Sequence, residues 1–418
     1  MGTALFTGVT ALTANQRKLD VIASNVANAN TTGYRGSRVL FQDLFSQTLS
    51  GARAPVARFG GTNPQQVGLG VRIASIDVDF GQGSLFTTGK ASDLAIQGSG
   101  FFILSDGSPG GQFFTRDGSF GVDVEGRLVD PATGFVVQGF TADTQGNIDP
   151  TQPVDDVMIP VGQSLVRATE NVNFTGNLDS ETPVGGTVVR TIEVFDSLGT
   201  PREFDVTFEM TTPGPPNEWT WTASSTDPDG TVNASSTGTI MFDANGEIMN
   251  VSNETVTFDF GPGLTTEPVD PFEFDLNFNG VSQLADSSDV NISSQDGFPR
   301  GTLEVFNIAQ DGIINGVFSN GLTQVLGQIG VASFANPGGL ERVGDNFFVS
   351  TPGSGSGQVG QPNTGGRGSV SGGVLERSNV DLAREFSELI ITQRSFQANA
   401  RTITTADTLL LETVNLIR

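Results

Sequence analysis

The run LAREFSELIITQRSFQANARTITTADTLLLETVNLI at residues 382–417 places Leu382, Leu389, Phe396, Ile403, Leu410 and Ile417 seven residues apart. That spacing winds one apolar stripe along a helix. Phe386, Ala400 and Val414 follow three of these anchors by four residues and complete a narrow seam. The opposite end repeats the grammar with Leu5, Leu12, Leu19 and Val26, seconded by Val9 and Ala23. Gln16, Gln393 and Asp407 interrupt the seam, as polar residues do where they fix register or partner number. At a rise of about 1.5 Å per residue the helices measure roughly 40 and 50 Å. Two lone helices fall short of a core, which predicts termini that become ordered when neighbouring copies supply the missing surface. An ordinary two-helix hairpin on its own domain is the alternative reading of the same periodicity.

Everything between the helices reads as β, so the expected fold is mainly β with paired terminal coiled-coil helices and two β-rich, nested, discontinuous domains. The first helix is expected over 3–29, stopping at Asn30-Thr31-Thr32-Gly33, where Gly33 can take a left-handed cap. An apolar patch at 39–49 reads as a second short helix. Residues 50–70 and 352–373, rich in Gly, Ser and Pro, read as linkers. Short alternating strands with Asp-Gly and Glu-Gly turns run from 71 to 165, and the same Phe- and Gly-rich style returns over 297–351. The Thr- and acid-rich block 168–296 is then an inserted outer domain, a β-sandwich or barrel. Residues 1–49 and 374–418 form the terminal helical assembly domain, and the nesting brings the chain ends together.

Charge supports the insertion. Residues 168–296 hold 22 acidic and 2 basic side chains, a net of -20 within a chain total of -25, leaving -5 for the rest. The near-neutral helices can pack together while the acidic block limits indiscriminate association. No basic patch exists to release phosphate counterions, which argues against nucleic acid. No stretch has the length of a transmembrane helix, so membrane insertion is not expected. Residues 1–30 lack the basic start and apolar run of a cleaved signal peptide.

Enzymatic chemistry finds little purchase. The chain has no Cys and no His, which removes thiolate nucleophiles, imidazole bases and the commonest zinc ligands together. Gly355-x-Gly357-x-x-Gly360 fits a dinucleotide fingerprint formally, but Pro362, Gly365 and Gly366 preclude the helix that must follow. Asp227-x-Asp229-Gly230 resembles half a calcium loop, with Ser236 where the bidentate Glu belongs. No catalytic residue, metal site or cofactor is assigned.

Several separated motifs carry a family resemblance. NVANANTTGYRG at 25–36, SDLAIQGSGFFIL at 92–104, LGQIGVASFANPGGL at 326–340, NFFVSTPGSG at 346–355 and the final run from Gly372 occur in this order. Together they resemble the flagellar rod and hook proteins of bacteria. Within that family the large insertion and FDSLGT at 195–200 look like the members that build the hook, with the distal rod as the alternative. The resemblance implies a subunit that polymerises helically with copies of itself into a curved, hollow tube between rod and filament. It implies rod, hook-cap and hook–filament junction proteins and the flagellar export apparatus as partners. It also implies an extracellular location reached without a cleaved signal. A secreted β-sandwich hydrolase or adhesin is the rival reading, and it leaves both heptad runs unexplained.

The assembly interface is expected on the heptad residues and on the polar cluster closing the first helix: Asn25, Asn28, Asn30, Thr31 and Thr32, with Gly33 and Tyr34. A helix cap uses one or two such side chains. The excess points to hydrogen bonds with neighbouring subunits, because Asn and Thr donate and accept without bringing charge into a packed tube. The two linkers are the expected seat of bending.

Overall fold

The computed structural model describes residues 2–55, 60–108, 110–143, 145–214, 216–227, 229–261, 269 and 271–416, with side chains from residue 5 to residue 415 at the two ends. Ile417 therefore lies outside the described residues. The chain divides into two units: residues 1–159, 307–315 and 325–418 form the first, residues 160–306 and 316–324 the second.

In the first unit, helix α1 spans Gly2–Ala27 and helix α2 spans Leu382–Leu416. Asp381 starts α2 as its N-cap, its Oδ1 accepting from the N–H groups of Ala383 (2.9 Å) and Arg384 (3.3 Å). The helices pair antiparallel. Lys18 Nζ meets Glu388 Oε2 at 2.6 Å, and a Cβ added to Gly8 would lie 2.9 Å from Ile403 Cγ1. α1 ends at Ala27, two residues before the expected stop. Gly33 is left-handed (φ +65°), but within the turns beyond the helix rather than as its cap.

The apolar patch at 39–49 is not helical. It contributes to β1 (Ser37–Asp43) and β2 (Ser46–Ser50), which pair with β4 (Val71–Val78) and β3 (Gln65–Gly68). An apolar run of this length fits either period, and the partner strand decides. Within the expected linker 50–70, Gln65–Gly68 is thus a paired strand, and α1 packs on the β1–β4 ribbon. The segment 352–373 is also structured. Gln358–Gly360 pairs with Val331–Ser333, and Ser369–Gly372 pairs with Leu94–Gln97, with Val370 fully buried. Val374–Glu376, expected to belong to the helical domain, is a strand paired with Leu85–Thr87.

The remaining sheet of this unit runs in the order Val136–Thr141, Phe101–Ser105, Gln112–Thr115, Phe347–Val349, Glu341–Gly344. Its core gathers Phe101, Ile103, Phe114, Leu340 and Phe348, with Phe80 and Phe334 against them. Edge-to-face ring pairs such as Phe114 with Phe334, 4.8 Å between centroids, add to the area they bury.

The second unit is a sandwich of two five-stranded sheets. Its longest strand, Pro201–Thr212, shows why: Arg202, Phe204, Val206, Phe208 and Met210 point inward while the intervening residues face out. Trp219, Trp221, Phe242, Phe258, Phe274 and Phe278 complete the core, each large side chain contributing about 1.5–3 kcal/mol by burial. Residues 298–306 and 316–324 belong to this unit, although their Gly- and Phe-rich style suggested the other.

Candidate assembly surface

The polar cluster after α1 turns inward. Asn25 is buried; its Nδ2 donates to Ser37 O (2.8 Å) and its Oδ1 accepts from the Ser37 N–H (2.9 Å). Asn28 Nδ2 donates to Ser24 O, and Thr31 Oγ1 donates to Asn28 Oδ1. Thr32 Oγ1 reaches Asp117 Oδ2 at 2.8 Å, and the Gly33 N–H donates to Glu376 O at 2.9 Å. Tyr34 is buried, its hydroxyl 3.4 Å from Asn25 Oδ1 and its ring under the Arg342 guanidinium. Asn25, Asn28, Thr31, Thr32 and Tyr34 thus have hydrogen-bond partners within their own chain, while Asn28, Thr31 and Thr32 keep part of their surface exposed. Asn30 alone of the group is exposed.

Beneath this turn lies a charged cluster that residue-type reasoning missed. Arg35 and Glu376 are closed to solvent and joined by two hydrogen bonds of 2.9 Å. Arg116 Nη1 adds a third at 3.3 Å, and the Gly83 N–H donates to Glu376 Oε1 at 2.7 Å. Burial, then the neighbouring Arg35, lowers the Arg116 pKa to about 10 against the pull of Glu376. Arg116 therefore stays charged at neutral pH. Asn379 continues the lock, accepting from the Gly36 N–H and donating to Asp79 O and Gly81 O.

The helix pair is the outward-facing surface. Its seam is not the expected stripe. Gly8, Ile22, Thr392 and Ala406 are the buried positions on its two sides, and in α2 they lie roughly a quarter turn from the midline of the heptads. Gly8, Thr392 and Ala406 let the backbones approach, and the heptad residue Ile403 packs on Gly8. Leu5, Leu12, Leu19, Val26, Leu389, Phe396, Ile403 and Leu410 are half-buried, whereas Val9, Leu382, Phe386 and Val414 are exposed. Phe6, Ile390, Ile391, Leu409 and Leu411 are exposed too, Ile391 at 58%. They escaped the sequence reading because they fall outside the seven-residue repeat. So many large apolar side chains on one helix pair exceed the scattered singles of an ordinary surface.

The comparisons with known proteins cover the same elements. Four family models match: "Flagella basal body rod protein" over 5–35, "Flagellar hook protein FlgE/F/G D1 domain" over 95–175, "Flagellar basal body protein FlaE D2 domain" over 161–298 and "Flagellar basal body rod FlgEFG protein C-terminal" over 371–416. The flagellar hook protein FlgE of Borreliella burgdorferi is 39% identical, with 99% of each chain covered. That of Salmonella typhimurium is 33% identical over 98% of each. The flagellar basal-body rod protein FlgG of Bacillus subtilis is 27% identical over 99% of each. The crystal structure of the Helicobacter pylori flagellar hook protein FlgE2 aligns with a TM-score of 0.50 at 15% identity, covering 68% of this chain and 99% of that one. This last likeness concerns the fold alone.

Proposed function

The chain belongs to the flagellar rod and hook protein family, and from that premise we propose that it is a structural subunit of the hook. Copies of it polymerise helically into the curved tube that joins rod to filament and transmits torque. The observation that carries the reading is the helix pair whose small-residue seam leaves Phe386, Ile390, Ile391, Leu411 and Val414 exposed. Neighbouring copies would bury these side chains at about 25 cal/mol per Å² of apolar surface. The distal rod has weaker support, since the rod relative is 27% identical and the hook relatives 39% and 33%. The work is mechanical rather than catalytic. Its partners are copies of itself, the rod below, the cap during growth and the junction proteins above. It reaches the cell exterior through the flagellar export apparatus without a cleaved signal.

Electron microscopy of the purified chain tests this directly. The intact protein forms curved, hollow fibres. The double variant Phe386→Glu with Ile390→Glu stays monomeric at the same melting temperature, because the exposed side chains contribute little within one copy. Fibres of normal yield from that variant would refute the assignment of the surface.

A further inference from the structure

α2 outruns its partner. With Gly8 against Ile403, an antiparallel pair places Gly2 opposite about residue 409. The last turns of α2 extend beyond α1. Asp407, level with the first turn of α1, and Leu411 and Val414 beyond it stand at i, i+4 and i+7 and share one face, and Leu411 and Val414 are 58% and 61% exposed.

Between α1 and the ribbon is a groove of about 370 Å³, lined by Val9, Ala14, Leu44, Val71 and Ile73 among others. Arg17 and Arg72 also line it. Arg17 has only a 3.9 Å surface pair with Asp20, and Arg72 a hydrogen bond to Gln42. The groove is apolar with two cations, in a chain of net charge -25. The end of α2 is apolar with an anion.

We infer that these two surfaces are complementary halves of one contact: the Asp407–Leu411–Val414 face of one copy seats in the α1–ribbon groove of the next, with Asp407 toward Arg17 and Arg72. The inference rests on the hook reading and supplies the partner of its surface. Leu411 and Val414 enter the floor, and the charges set the register more than the affinity. Because key and groove are different patches of one chain, the contact is heterologous. Each copy offers one of each, so association propagates instead of stopping at a pair.

The full-length chain, which has no native Cys, allows a clean test. The double variant Thr13→Cys with Leu411→Cys is polymerised and oxidised. Denaturing gels without reductant then show a ladder extending beyond dimers, while either single variant gives no ladder. Separately, Asp407→Arg raises the critical concentration for polymerisation several-fold, and adding Arg17→Asp and Arg72→Asp restores it. Fibres that form normally yet give no ladder, or a charge reversal without effect, overturn this contact and leave the hook reading standing. A wild-type chain that forms no fibre at all sinks both.

Discussion

Arg35 and Glu376 meet through two 2.9 Å hydrogen bonds in a site closed to solvent, although 341 residues separate them in the chain. The pair ties the exit of α1 to the approach of α2, and Arg116 joins it from the β body. Both residues fall within the stretches 1–49 and 374–418 expected to form the helical assembly domain, outside the expected linkers at 50–70 and 352–373.

Replacing Glu376 with Gln leaves two buried guanidinium groups without their carboxylate. Breaking a buried pair in this way costs about 3–5 kcal/mol. Denaturant unfolding of the monomer should show that loss in the first unit, while the Trp219 and Trp221 fluorescence of the sandwich reports an unchanged second unit.

Gly33 is left-handed, and a Cβ there would lie 2.5 Å from the backbone N of Asp117. Gly33→Ala therefore adds a steric clash with backbone to about 1–2 kcal/mol of conformational strain. A lowered melting temperature checks this. Gly89, also left-handed but with nothing near its Cβ position, pays the conformational term alone and should lose less on the same substitution.

Acid should loosen both the helix pair and the turns. The Lys18 ammonium, by hydrogen bond and then by charge, holds the Glu388 carboxyl below its ordinary range. Backbone N–H donors do the same for Asp143 and Asp243, with Asn147 and Glu247 the leading donors. A carboxylate depressed in the folded state contributes stability above its unfolded pKa of about 4, and that contribution is lost as pH falls through the folded value. Lys18–Glu388 is partly exposed and contributes no more than about 1 kcal/mol. Melting temperature should be flat from pH 7 to 5 and fall below 4. Glu388→Gln should flatten part of that fall and leave the neutral value slightly lower.

The turn FDSLGT feeds a second charged knot. Arg202 bridges the buried Asp196 and the partly exposed Asp227 and Asp229, and these carboxylates raise its pKa against the opposing effect of burial. Arg202→Met keeps the volume but strands Asp196 in the interior. It should destabilise the second unit by about 3 kcal/mol, with calorimetry showing the first unit unmoved. The half calcium loop at 227–230 thus has a structural occupant in Arg202.

How far the sequence could be read follows from what each signal encodes. The heptads marked two helices because seven-residue periodicity is local. They left out the small positions between the helices, because Gly8, Thr392 and Ala406 attract no notice in a search for large apolar residues. The alternation in Pro201–Thr212 is equally local, and it marked a sandwich or barrel, between which only the pairing of the strands decides. By contrast, the strands at 39–49 and 358–372 exist through partners at Val71–Val78, Val331–Ser333 and Leu94–Gln97, which no local pattern specifies. The Asn and Thr cluster announced that many hydrogen bonds were needed. The destinations outside the turn, Ser37 for Asn25 and Asp117 for Thr32, were set by the fold.

On the proposed hook reading, α1 and α2 present a surface that other copies complete. Amide hydrogen exchange, compared between monomer and fibre, measures it most directly. Fast exchange is expected over 5–27 and 382–415 in the monomer, strong new protection there in the fibre, and little change in the sandwich core around Trp219 and Phe204. Equal protection of both helices in monomer and fibre would contradict it.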